Sequence, residues 1–404
     1  MNTTKKSILT YFLAFFWGNI VLGLGSIQEN RIQFSFLGKE YSIKAKEIPG
    51  GFPKSHSSQK SFTEITLALE KNCAGIIPEI SAIKKSLDLS DWLYYQLIRK
   101  VSQQLFPKEE DYWGYTYCKR FFLASCGFNP LLCTIDNKLL LYIQSNSTIY
   151  NVPIKMVSGK QYVCLNFHDH DFDVPLEREV PRIIEKSNNE NGVAFDYEIS
   201  VMPDLPAEKY IDKKIEFKYK NTIQKFDIKV FPEIKDYFKN YPVTDYRFQF
   251  NIPLSKATYA SIILPLKRKL ENKTVAYGVE YILFLVRNAF FYEADSTLYG
   301  REKRFSPEEA LASERSDCED YAGLFFSLIR EVYNIPMIVL SYPDHVNVGV
   351  ALKKPKYKTI LHNGIEYTIC EPTPQKKNLH LGQMAKKTEK QPHEIVYVFE
   401  PKNN

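Results

Sequence analysis

The amino-acid sequence predicts an α+β fold, in which helices and antiparallel strands fall into separate blocks. Three observations carry this. Apolar residues recur at helical spacing through Trp92, Leu93, Tyr95, Leu97, Val101 and Leu105, and again through Tyr321, Leu324, Phe325, Leu328, Ile329 and Val332. Each helical block is followed by short apolar or alternating runs of strand length, over 131–167 and over 337–371. Asn363-Gly364, between two such runs, signals a tight antiparallel hairpin. With 404 residues, 44% hydrophobic and 25% charged, the chain can bury more than one core.

Taken in order, the chain opens with Lys5 and Lys6 before an apolar stretch from Ile8 to about Leu24, and small residues follow at Gly25 and Ser26. This is the layout of a secretory signal over 1–25, so an exported protein, periplasmic or extracellular, is expected. An uncleaved anchor is the alternative, because the stretch approaches the roughly 20 residues that span a bilayer; Gly18 and Asn19 interrupt it. No integral membrane domain is expected after cleavage. Residues 27–175 read as an α+β domain: strands over 31–45, a loop at Pro49–Pro53, a polar stretch at 54–60, helices over 91–105 and 115–125, and strands at 131–135, 138–144, 149–156 and 161–167. The charged stretch 176–192 reads as a linker. Residues 193–254 read as a β-rich segment, with alternation at Phe195–Ile199 and Ile215–Tyr219. Helical spacing returns at about Ser255, and Val275–Phe291 is an apolar core helix within a last domain over 255–404.

Composition narrows the function. A net charge of +6 is mild for this length, and no dense basic tract appears, so nucleic acid is not an expected partner. Seven cysteines are scattered without a C-x-x-C pair, so neither a metal nor a cofactor site is expected. In His168-Asp169-His170-Asp171-Phe172-Asp173, two histidines on one face of a strand would offer two metal ligands. With no third ligand specified, a polar strand end is the stronger reading.

The segment 316–333 carries the chemistry. Ser316-Asp317-Cys318-Glu319 fits a capping box with Ser316 as N-cap, which sets Cys318 in the first turn of a helix closed by Asn334 and Pro336. Unpaired N–H groups and the positive helix end there favour a thiolate and a developing oxyanion. Downstream, His345 opens the alternating strand Val346–Val350, and Glu371 ends the strand Ile365–Cys370. Thiol, imidazole and carboxylate, brought together, form a nucleophile, a base and a group that orients the base.

On these residues, 255–400 resembles the transglutaminase-like superfamily of papain-type cysteine enzymes. Ser316-Asp317-Cys318-Glu319-Asp320-Tyr321-Ala322 is similar to its nucleophile block, Asn334-Ile335-Pro336 to its Gly-Ile-Pro block, and Glu371-Pro372-Thr373 to its Asp-Pro-Thr block. The resemblance implies a helix packed on an antiparallel sheet and a catalytic trio of Cys318, His345 and Glu371. Two departures stand out: Glu371 replaces the usual Asp, and Val346-Asn347 replaces the common Ala-Trp. The implied activity is amide acyl chemistry on a protein or peptide-like substrate, by hydrolysis or transfer. The alternative is a silent transglutaminase-like binding or scaffold module in the cell envelope.

A second, weaker likeness lies inside the chain. Gly159–Asn166 parallels Gly364–Glu371, and Leu123–Pro130 parallels Leu328–Pro336. This suggests a degenerate copy over about 85–170, with Asn166 at the acid position, Asn137, Lys138 or Leu139 in the histidine region, and Tyr112 or Trp113 in the nucleophile region.

Overall fold

The computed structural model describes residues 31–45, 59–171, 174–186, 192–298, 302–353 and 358–401. The expected signal, 1–25, lies outside them, as does most of 54–60. The fold is α+β. Strands β1 (Arg31–Phe36) and β2 (Lys39–Lys44) form a hairpin turned by Leu37-Gly38, both at positive φ. Helices α1 (Gln59–Cys73), α2 (Ile76–Leu87), α3 (Asp91–Leu105) and α4 (Tyr112–Ser125) follow. The first two add to the sequence expectation. Their signal is a stripe at one-turn spacing, Ile65, Leu69 and Cys73, then Ile76 and Ile80, all buried. Asp111 caps α4 by accepting the Gly114 N–H at 2.8 Å, so this helix starts before Tyr115.

Strands β3 (Pro130–Ile135), β4 (Lys138–Gln144), β5 (Ile149–Tyr150), β6 (Ile154–Val157), β7 (Lys160–Cys164) and β8 (Arg182–Lys186) come next. Five of them form an antiparallel sheet in the order β6-β7-β4-β3-β8. β8 corrects the linker reading of 176–192. It hydrogen-bonds along the outer edge of β3, where unpaired backbone groups need partners. The charge of the stretch had hidden it.

Residues 193–254 are not a separate β-rich unit; they divide between two cores. The extended run carrying Phe195, Tyr197 and Ile199 buries these side chains in the first core beside Trp92, but forms no ladder. Strands β9 (Ile211–Tyr219) and β10 (Thr222–Val230), turned by Lys220-Asn221, then cross to the second core through Ile215, Phe217, Tyr219, Phe226 and Ile228. Helix α5 (Ile234–Phe238) returns to the first core, and β11 (Val243–Thr244) pairs with β5. Helix α6 (Tyr246–Asn251) crosses back, placing Tyr246 and Phe250 in the second core.

The second half contains α7 (Lys256–Leu270), α8 (Val275–Arg287), β12 (Phe291–Tyr292), α9 (Asp295–Leu298), α10 (Pro307–Ala312), β13 (Arg315–Ser316) and α11 (Cys318–Tyr333). Helix α8 stops at Arg287, four residues short of the expected Phe291, because Phe291 and Tyr292 are extended and paired with β13. Strands β14 (Met337–Tyr342), β15 (His345–Ala351), β16 (Thr359–His362), β17 (Ile365–Cys370), short helix α12 (Lys386–Glu389) and β18 (Glu394–Phe399) complete the chain. Their sheet runs β16-β17-β15-β14-β18. In each sheet the order by chain position is therefore third, fourth, second, first, fifth. Each also breaks register on its first strand after the third residue, between Leu132 and Cys133 and between Val339 and Leu340. Helix α11 lays Leu324, Phe325, Leu328 and Ile329 against Val339, Val346, Val348 and Cys370 of this sheet. Each such fully buried side chain stabilises by about 1.5–3 kcal/mol. Among the described residues, no helix is long and apolar enough to cross a membrane.

Candidate active site

Ser316 cannot cap α11, because its backbone is held in the β12–β13 pairing and its carbonyl accepts the Glu293 N–H at 2.9 Å. The cap is Asp317, which accepts the Glu319 N–H at 3.2 Å, and Asp320 reaches back to the Asp317 N–H. The capping box expected from Ser316 and Glu319 is thus shifted by one residue. Cys318 becomes the first residue of the helix. Asp320 also accepts the Phe305 N–H at 2.7 Å, which ties the helix start to the preceding loop.

Cys318 is 8% exposed, and its thiol donates to Glu319 Oε2 at 2.9 Å. Burial, then the charges of Glu319 and Asp317, push the thiol far above its ordinary range. Burial and the neighbouring acidic groups thus work against the partial dipole charge that the helix start offers to a thiolate. Asp317 itself is pushed up to about 10, first by burial and then by Asp320.

His345 opens β15 opposite Tyr342, and its Nε2 lies 2.9 and 2.8 Å from the two oxygens of Glu371. Glu371 is 0% exposed, so its charge depends on the groups that surround it. The Thr373 N–H donates to Oε1 at 3.1 Å. Asn347, buried two residues beyond His345, turns its amide nitrogen to the same carboxylate at 3.1 and 3.2 Å. From α8, the Arg287 guanidinium donates twice to the Glu371 backbone carbonyl and once to that of Leu379. Burial pulls the His345 ring toward neutrality, but the hydrogen bond and charge of Glu371, with Glu319 adding, raise it overall.

The structure therefore joins two of the three predicted residues directly. His345 and Glu371 are in contact. Cys318 is hydrogen-bonded to Glu319, and among the described residues no hydrogen bond links its sulfur to His345. The charge of Glu319 acts on both the thiol and the imidazole. Because Nε2 faces Glu371, Nδ1 is the ring nitrogen left to receive a proton. Sequence reasoning missed Arg287 and Asn347. Asn347 was visible only as a departure from the expected Trp, and nothing local marks Arg287. Two ligand-type groups gather within 4.8 Å here, Asp317 with Cys318 and Glu319, and Asp295 with Asp317 and Asp320. Carboxylates of this kind suit a hard cation, yet Asp320 is engaged by backbone N–H groups.

The first half carries equivalent positions with different chemistry. Tyr112 is the first residue of α4 after an Asp cap, as Cys318 is of α11. Lys138 opens β4 opposite Ile135, as His345 opens β15 opposite Tyr342. Asn166 follows Leu165, which pairs with Leu141 as Cys370 pairs with Val348. Asn166 Nδ2 donates to Tyr112 Oη at 2.6 Å and to the Leu139 carbonyl at 2.8 Å. His168 and His170 lie in a 3-10 turn, Phe167–His170, and not on a strand. His170 contacts Tyr112 Oη at 3.1 Å, while His168 lies 3.1 Å from Asp169. Asp169 in turn receives Lys108 at 2.8 Å and lies 3.5 Å from Lys119.

No protein-family model matches this chain, and no curated protein is similar to it in sequence.

Proposed function

We propose that the second half is a transglutaminase-like cysteine enzyme acting on an amide of a protein or peptide-like substrate, in an exported setting. Cys318 gives its proton to His345 Nδ1, and its sulfur attacks the amide carbonyl carbon. The Cys318 backbone N–H, free at the helix start, faces the oxygen that gains charge. Collapse expels the amine, which takes the proton back from His345. Water or a second amine then releases the acyl group from sulfur.

The observation that carries this reading is the pairing of half-buried His345 with fully buried Glu371. A carboxylate this deeply buried is costly unless firmly partnered, and here Thr373 and Asn347 bond it beside the imidazole while Arg287 holds the Glu371 backbone carbonyl. Such an arrangement orients a ring whose other nitrogen is to work. The first half we read as a degenerate copy of the same unit, supported by its strand order and by Tyr112, Lys138 and Asn166 at the three site positions.

The test is the alkylation of Cys318 by iodoacetamide against pH. Loss of His345 in His345→Ala is expected to slow the reaction at neutral pH by about tenfold or more. Alkylation indifferent to His345 would favour the second reading, a silent binding or scaffold module. That reading draws on one observation: the thiol is bonded to Glu319 and held protonated.

A further inference from the structure

Glu319 holds an unusual position. Its carboxylate accepts the proton-bearing sulfur of Cys318 at 2.9 Å, and it lies near enough to His345 for its charge to raise the ring. It is partly exposed, whereas Asp317 and Asp320 on the same helix are buried. The neighbouring cations are committed elsewhere: Lys303 pairs with Glu309 at 3.0 Å, and Arg304 donates to the Thr244 carbonyl and lies 4.0 Å from Glu302. Among the described residues, no lysine or arginine forms an ion pair with Glu319. Two exposed rings, Phe291 at 78% and Tyr292 at 52%, stand on β12 next to the strand that leads into Cys318. A carboxylate without a cation, near the exposed Tyr292 ring, suits an ammonium or guanidinium group.

We propose that Glu319 gates the nucleophile: it holds the thiol proton of Cys318 until a cationic group of the substrate claims the carboxylate. The inference rests on the reading of Cys318 as nucleophile and adds a substrate class, an amide flanked by a positively charged side chain. The step is an exchange of partners. The S–H···O bond to Glu319 gives way to an N–H···O bond from the cation, and the thiol proton then passes to His345 Nδ1, leaving the electron pair on sulfur. At rest the protonated thiol resists oxidation, since thiolate is the reactive form.

The other groups near the sulfur set the background. The carboxyl groups of Asp317 at the N-cap and Asp320 in the first turn, both pushed up by burial and by neighbouring acidic groups, stand close to the sulfur, and the phenols of Tyr246 and Tyr292 lie close enough to feel it. Glu302 is pushed up to about 7 by burial first and then by Glu319, with Arg304 opposing the rise.

The experiment uses the full chain and three thiol reagents: cationic 2-aminoethyl methanethiosulfonate, its anionic 2-sulfonatoethyl counterpart, and neutral iodoacetamide. Modification of Cys318 is followed by peptide mass spectrometry. In the wild type the cationic reagent is expected to outpace the anionic one by about tenfold or more. Glu319→Gln should reduce that ratio to about threefold or less, and lower the pH midpoint of iodoacetamide alkylation by about one unit. Glu319→Asp, which keeps the charge, should restore part of the ratio. If Glu319→Gln leaves ratio and midpoint unchanged while His345→Ala still slows alkylation, the gate is overturned and the enzyme reading stands. If Glu319 matters and His345 does not, the enzyme reading falls and Glu319 acts on an idle thiol, so there is no gate to a reaction. A Cys318 inert in every variant overturns both.

Discussion

Glu371 concentrates the residue-scale lesson. Sequence order alone placed it with His345, because a strand start and a strand end on paired neighbours bring their side chains to one edge. What the sequence did not disclose is the support. Arg287 arrives from a helix far away along the chain, and Asn347 is two residues beyond His345 on the same strand, where its side chain shares a face with the ring. Replacing Asn347 by Leu strips an amide donor from a buried carboxylate, and a loss of about 1–3 kcal/mol is expected in denaturant titration. Glu371→Gln tests the electrostatics. The folded His345 is raised above its ordinary value, so its contribution to stability is full below about pH 6.5 and fades as pH rises through the folded pKa. The wild type should therefore exceed Glu371→Gln in melting temperature by more at pH 6 than at pH 9.

At the scale of elements, turns were the most legible feature. Asn363-Gly364 closes the β16–β17 hairpin with both residues at positive φ, as the dipeptide demands. The start of α11 was misread by one residue because a capping box is a local pattern, whereas Ser316 is claimed by a pairing with Tyr292 that local sequence cannot show. Asp317 is a cap under strain from its neighbours. Its folded pKa, pushed up to about 10, lies above the unfolded value, so stability falls as pH climbs from about 4 toward 10. Asp317→Asn keeps the cap and removes the titrating carboxyl, and it should be the more stable protein by about 1 kcal/mol or more at pH 8, with little difference at pH 4. Helix α11 also approaches α6 closely at Gly323, where a Cβ would stand 3.0 Å from the Phe250 ring. Gly323→Ala is expected to cost about 1–3 kcal/mol through overpacking.

For the molecule as a whole, the two sheets have one plan and two fates. Strand order and the shared register break were hidden in the sequence, since they depend on pairings far apart along the chain. The short parallel between Gly159–Asn166 and Gly364–Glu371 was the visible trace. In the first half, a buried ion cluster occupies the space beyond the Asn166 position. Lys119 is 0% exposed, so Asp169→Asn should destabilise by about 3–5 kcal/mol by leaving that ammonium without its carboxylate. His168, lowered to about 4 chiefly by burial, makes this half lose stability as pH falls below about 6.5. Trp92 and Trp113 are the tryptophans among the described residues and both lie there, so in a chain without residues 1–25, which carry Trp17, intrinsic fluorescence reports on the first half, and alkylation of buried Cys370 on the second. The path through 193–254 governs how these signals relate. The chain leaves the first core for the β9–β10 hairpin, comes back for α5, and leaves again at α6, so the halves are laced together and not merely joined. A protease nick between β10 and α5 yields two fragments that each keep part of both cores, and they should stay associated on a sizing column until a denaturant separates them.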